Sequence, residues 1–176
     1  MARHAKAGFA VREHGWQGYC GPRMVFYASR ETHGWCQKAA ELMGFGNSAF
    51  RRVPADCAFR LDLGALRTRI ESDRREKMRP FCVVGNAGTI STGAIDDLRA
   101  IRRICQEEQL WFHVDGAFGA LARLSNDLRG WWKASKRRIR WLLICTSGCI
   151  CRSTWDACWY EMPRHTEMRL RTGGVI

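Results

Sequence analysis

No stretch of the 176 residues approaches the roughly 18 consecutive apolar residues that a membrane-spanning helix needs, because charged side chains interrupt every candidate. The opening run Met1-Ala2-Arg3-His4-Ala5-Lys6 leads into no apolar segment with a small-residue cleavage site, so no secretory signal is expected. Without export, the nine cysteines are expected as reduced thiols in a cytoplasmic setting. Acidic side chains are scarce: 17 Asp+Glu stand against 29 Lys+Arg, for a net charge of +12. The 46% hydrophobic residues and the charge spread along the chain argue against a disordered tail. What remains is a soluble globular chain whose length suits one sizeable core, at roughly 100–200 residues per domain.

The shortage of acids is not uniform. Residues 131–176 carry nine Lys+Arg but only Asp156, Glu161 and Glu167, so 46 residues hold half of the net charge. They also hold five of the eight tryptophans and four of the nine cysteines. Residues 1–130 are ordinary in composition. Two texts in different styles meet near Gly130.

The first text alternates strands and helices. Met24-Val25-Phe26-Tyr27 is a short β-prone run, and the segment after His33 has helical spacing at Cys36, Ala40 and Met43, ended by Gly44 and Gly46. Phe50-Arg51-Arg52-Val53 reads as a short strand. Asp62 is a good N-cap for a helix with Leu63, Leu66 and Ile70 on one face. Pro80 to Gly85 is the continuous apolar run of a strand covered on both faces, and a small polar loop follows it to Gly93. A helix is predicted near Asp96–Gln109 with Leu98, Ile101 and Cys105 inward, then a second buried strand from Leu110 to Val114 ending at Asp115-Gly116-Ala117. This alternation implies βαβ units, hence an α/β fold with a mostly parallel sheet and helices on both faces. Ligands in such sheets sit beyond the carboxyl ends of the strands, where Gly88-Thr89 and Asp115 both fall.

Three blocks carry a resemblance: Phe26-Tyr27-Ala28-Ser29-Arg30-Glu31-Thr32-His33, Asn86-Ala87-Gly88-Thr89-Ile90-Ser91-Thr92-Gly93-Ala94-Ile95-Asp96, and Leu110-Trp111-Phe112-His113-Val114-Asp115-Gly116-Ala117-Phe118-Gly119. In order, spacing and strand context they resemble the group II pyridoxal-phosphate (PLP) amino acid decarboxylases, which include the aromatic amino acid and glutamate enzymes. The resemblance covers about residues 1–130. It implies part of the large domain of the fold-type-I, aspartate-aminotransferase-like architecture, with an L-amino acid as substrate and a homodimer as the complete enzyme. A related fold-type-I lyase or aminotransferase is the alternative within that fold.

The family's chemistry implies roles for particular residues. The cofactor's protonated pyridine ring takes up the electrons released as the substrate's α-carboxylate leaves. A carboxylate at the ring nitrogen keeps that proton in place, and by resemblance this is Asp115. His33 would lie over the ring face, Thr89 would contact the cofactor from its loop, and Ala117 would be the small residue beneath the ring. Read without the resemblance, His33 caps a helix start, His113 is a satisfied core histidine, and Asp96 and Asp97 are helix caps.

Two family parts are not found in the text. The Gly/Ser/Thr-rich phosphate-binding segment precedes the first block in the family, and the sequence given starts downstream of it. The Schiff-base lysine, in an Asp-x-His-Lys-Trp-like motif after the Asp115 block, has no counterpart at Lys133 or Lys136. The genetic code accounts for the second gap. Joining the last base of each codon to the first two of the next from Arg138/Ile139 onward, permitted codon choices spell Asp-Ser-Met-Ala-Phe-Asp-Leu-His-Lys-Trp-Met-Tyr-Met-Pro-Phe-Asp-Val-Gly-Cys-Val-Leu-Val-Arg-Asp. That is a family-like continuation, with Lys arising across Thr146/Ser147. The same shift gives Leu-Val-Glu directly after Gly130, where the composition changes. Residues 131–176 are therefore expected to be a frameshifted, non-native tail, and the chain as written is expected to be inactive alone.

At face value the tail suggests something else. Cys145, Cys149, Cys151, Cys158 and His165 are soft ligands for zinc, and the run from Lys133 to Arg140 among tryptophans could neutralise phosphates and stack bases. The cysteine spacing fits no paired zinc knuckle, and a lone basic run is usually a solvated face. Neither a metal nor a nucleic-acid partner is expected.

Overall fold

The computed structural model describes residues 2–117 and 119, and the backbone alone of 141–144 and 157–160. Strand β1 (Met24–Ser29) is buried along its whole length, as its uninterrupted apolar text requires. Its side chains alternate between two cores. Val25 and Tyr27 face Leu66, Ile70, Ile101, Ile104 and Cys105, which come from helices α4 (Leu63–Arg75) and α5 (Leu98–Glu107). Met24, Phe26 and Ala28 face Ala7, Val11, Cys36 and Ala40, from α1 (Ala2–Ala7), α2 (Val11–His14) and α3 (Trp35–Leu42). Helices thus cover both faces of the sheet, the condition under which a parallel sheet is stable in water.

The sheet runs in the order β2-β1-β3-β4-β5-β6, with β2 (Phe50–Val53), β3 (Arg79–Asn86) and β4 (Trp111–Asp115) all parallel to β1 or to one another. Strand β5 (Trp141–Ile144) continues parallel to β4, and β6 (Ala157–Tyr160) turns back antiparallel. Between Val25↔Pro80 and Phe26↔Cys82 the register skips Phe81. That extra residue sends both Phe81 and Cys82 to the α3 side, where Phe81 packs on Phe26 and Phe45. The chain leaves β1 toward β2 and then crosses to the far side of β1 for β3. The topological switch point therefore lies between β1 and β3, and Ser29, Asn86 and Asp115 end their strands at one edge.

The predicted elements stand, with three local differences. Asp62 caps α4 by accepting from the Ala65 amide at 3.0 Å, as expected. Helix α3 stops at Leu42, so Met43 lies past the last turn and is 39% exposed instead of inward. Gly44 and Gly46, at φ of 74° and 77°, turn the chain away there. Helix α5 begins at Leu98 with Asp97 as its cap, accepting from Ala100 N at 2.9 Å, while Asp96 belongs to the site edge. His113 is half-buried rather than a core residue, because it lies on the α3 side of β4 near the open end of the strand. The expected boundary at 130, the frameshifted tail, the basic run and the cysteine ligands lie outside the described residues, apart from the backbone of the two short strands. No helix among the described residues is long and apolar enough to cross a membrane.

Candidate active site

Three loops meet at the carboxyl edge, following β1, β3 and β4. The first is pinned through Asn86, the last residue of β3, whose Nδ2 donates to Thr32 Oγ1 at 2.9 Å and to Asp96 Oδ2 at 3.1 Å. Asp96 is 3% exposed. It also accepts from Asn86 N and Leu61 N, each at 2.7 Å, so its two oxygens satisfy donors from two separate loops. Burial raises its carboxyl above the ordinary value, against the lowering effect of those hydrogen bonds. From the sequence Asp96 is expected as a helix cap; the clasp is not legible there because its partners lie 35 residues away as well as ten.

The second loop is held by its own backbone. Thr89 is buried, its N–H donates to Ala94 O at 3.0 Å, its carbonyl accepts from Gly93 N at 2.8 Å, and its hydroxyl meets the Thr92 hydroxyl at 2.7 Å. Gly88 takes a φ of 95°, a conformation open to glycine and strained for others. Ala87 N donates to Asp115 O at 2.7 Å and so ties this loop to the end of β4. The third loop runs as close: a Cβ on Gly119 would lie 2.0 Å from Ala87 O, so only glycine allows the approach.

Asp115 sits at the end of β4, half-buried. Its Oδ2 accepts from the indole Nε1 of Trp35 at 2.5 Å, and its Oδ1 from the Ala117 amide at 3.3 Å. The Trp35 ring stands edge-on to His113, centroids 5.6 Å apart. His113 shares a face of β4 with Asp115, two residues on, and burial lowers its pKa despite the neighbouring carboxylate. His33 is exposed at the head of α3, and its Nδ1 accepts the Trp35 backbone N–H at 3.3 Å. The helix-capping contact foreseen for His33 is therefore present, at a position that also overlooks the site edge.

Of the four residues singled out from the sequence, Asp115 and Ala117 touch directly. His33 reaches Asp115 through Trp35, and Thr89 lies in the neighbouring loop without a bond to either. Trp35, Thr32, Asn86 and Asp96 were missed. The aromatic residue two positions after His33 was the one signal for Trp35 in the text.

The family model described as the pyridoxal-dependent decarboxylase conserved domain matches residues 1–141. The chain belongs to that family. It is 39% identical over 101 residues to the aromatic-L-amino-acid decarboxylase of Bacillus atrophaeus, covering 57% of this chain and 21% of the relative. To the human cysteine sulfinic acid decarboxylase it is 36% identical over 108 residues, covering 61% of this chain and 22% of the relative. The structure of mouse CSAD superposes with a TM-score of 0.75 at 31% identity, over 81% of this chain and 29% of that one. The rice (Oryza sativa) TDC solved with PLP gives 0.69 at 28% identity, over 81% and 30%. The chain thus spans about a fifth of the length of the curated relatives it matches. Its fold is the mixed α/β architecture of the fold-type-I PLP decarboxylases.

Proposed function

We propose that the described residues form the ring-binding part of a PLP-dependent carboxy-lyase that, when complete, removes the α-carboxylate of an L-amino acid to leave the amine. The observation that carries this is Asp115: a carboxylate at the end of a central strand, near the switch point, with one neutral donor on each oxygen. An ionised carboxylate has about four acceptor positions, so two donors leave room for a third. That third would be the pyridine N–H, and the donor set fits it. The cofactor, when bound, supplies an electron sink; Asp115 would hold the proton at its ring nitrogen. His33 would cover the ring face from the head of α3, Ala117 would leave room beneath, and Thr89 would present its loop to the cofactor.

The lysine is the part the described residues do not provide. Lys6 bonds Gln109 O and Lys77 precedes β3, both at the opposite edge of the sheet, and Lys38 is exposed on α3. We read residues from about 131 as a frameshifted translation whose other frame spells the His-Lys-Trp motif. Under that reading the 176-residue chain does not turn over, and the complete enzyme is a cytoplasmic homodimer.

The test begins with the gene, sequenced on both strands from the codon for Arg129 to that for Ile176. A single-base correction that restores the shifted frame is the expected result. Chains from both readings are then incubated with PLP, reduced with borohydride and mapped by mass spectrometry. The corrected chain should carry cofactor on the lysine of its His-Lys-Trp motif, and the 176-residue chain should carry none at a unique lysine. Capture at one lysine of the 176-residue chain, with amine formed from an amino acid, would overturn the inactive-fragment reading.

A further inference from the structure

Trp35 occupies an unusual place between the two residues proposed to contact the cofactor ring. Its backbone N–H donates to His33 Nδ1 at 3.3 Å, and its indole N–H donates to Asp115 Oδ2 at 2.5 Å, bridging 80 residues of sequence. The indole also stands edge-on to His113 on the same face of β4 and packs against the α3-side core. The head of α3 that carries it is held as well, through Thr32 and the buried Asn86–Asp96 pair. Trp35 therefore meets the imidazole through its backbone and the carboxylate through its indole, and links the two.

We infer that Trp35 is a positioning residue for the cofactor ring, orienting Asp115 and His33 together. This rests on the proposed PLP reading. Indole is a donor only, so the bond can form only to the acceptor oxygens of the carboxylate and turns Asp115 into one orientation. The hydrogen bond is charge-assisted and partly shielded from water, conditions that make it stronger than a neutral one. Because Oδ1 accepts from the Ala117 amide, the carboxylate is held at both oxygens, and each keeps an acceptor position for a further donor. Without the indole, Asp115 would lose that grip on Oδ2.

The 176-residue chain itself can be tested, labelled with 15N-tryptophan and titrated with pyridoxamine 5′-phosphate, which has the ring and phosphate but no aldehyde. Eight indole N–H signals are expected, and Trp35→Phe identifies one by its loss. In Asp115→Ala that same signal should move upfield, toward the position of a solvated indole; if it stays, the bond does not exist and the inference fails. Binding should weaken about tenfold in Trp35→Phe, the worth of one charge-assisted bond. In the Asp115→Ala background the same change should cost nothing further. Equal weakening in both backgrounds would mean that Trp35 acts by packing alone, and would overturn a role through Asp115. Failure of the unaltered chain to bind the probe would count against the cofactor reading instead, while the indole signal still judges the bond.

Discussion

Asp96 and Asp97 are chain neighbours with opposite surroundings, and they predict different losses. Asp97 caps an exposed helix start, so Asp97→Ala should lower stability by about 1 kcal/mol. Asp96→Ala would strand the buried N–H groups of Leu61 and Asn86, at about 1–3 kcal/mol each, and should cost more than the cap. Urea denaturation of both variants decides the order. His113 supplies a pH signature. Its folded pKa lies below the ordinary 6.5, so on acidification the unfolded chain takes up the proton first. The contribution is complete above about 6.5 and is lost as pH falls through the folded value. The denaturation midpoint should drop as pH falls below about 6.5, and His113→Asn should flatten that part of the curve.

At the scale of elements, two glycines hold surfaces at their closest approach. A Cβ on Gly85 of β3 would meet Leu98 Cδ2 at 2.9 Å, Phe112 at 3.1 Å and Ile101 at 3.3 Å. All three are side chains in a packed layer, so Gly85→Ala should cost about 1–3 kcal/mol by overpacking, read as a lower thermal midpoint. Gly119 differs because its obstacle is the backbone carbonyl of Ala87, which no rotamer change can move. Gly119→Ala should push the segment after β4 away from the loop after β3. The expected outcome is weaker binding of pyridoxamine 5′-phosphate, by calorimetry, with less effect on the core than Gly85→Ala. Helices α4 and α5 were legible from their periodicity and caps, since Leu66, Ile70, Ile101 and Cys105 are all buried. The glycine stop of α3 was legible too, at Gly44 and Gly46; Met43, counted with the helical spacing, is the residue that caps the helix just before that turn.

For the whole molecule, strand order is what makes a site. The order β2-β1-β3-β4 places the loops after β1 and β3 on either side of the switch point, with Asp115 one strand further. Among the described residues, both packed cores are built from residues 2–117, a part whose text reads as family-like. If the frame correction is found, the restored chain should retain PLP through gel filtration, while the 176-residue chain should lose it for want of the covalent lysine. Spectra of the two eluates near the cofactor band give the answer.

The sequence alone determined the kinds of elements, because periods of two and 3.6 residues are local, and a buried strand needs an unbroken apolar run. It also determined the family, since three separated motifs kept their order and spacing, and it located Asp115 at a strand end. Only the tertiary structure decided that Trp35 bonds Asp115 across 80 residues and that Asp96 is a buried clasp instead of a cap. Both depend on which loops the sheet brings side by side. That is a property of strand order and register, and a one-dimensional pattern of polar and apolar residues does not encode the distance between them.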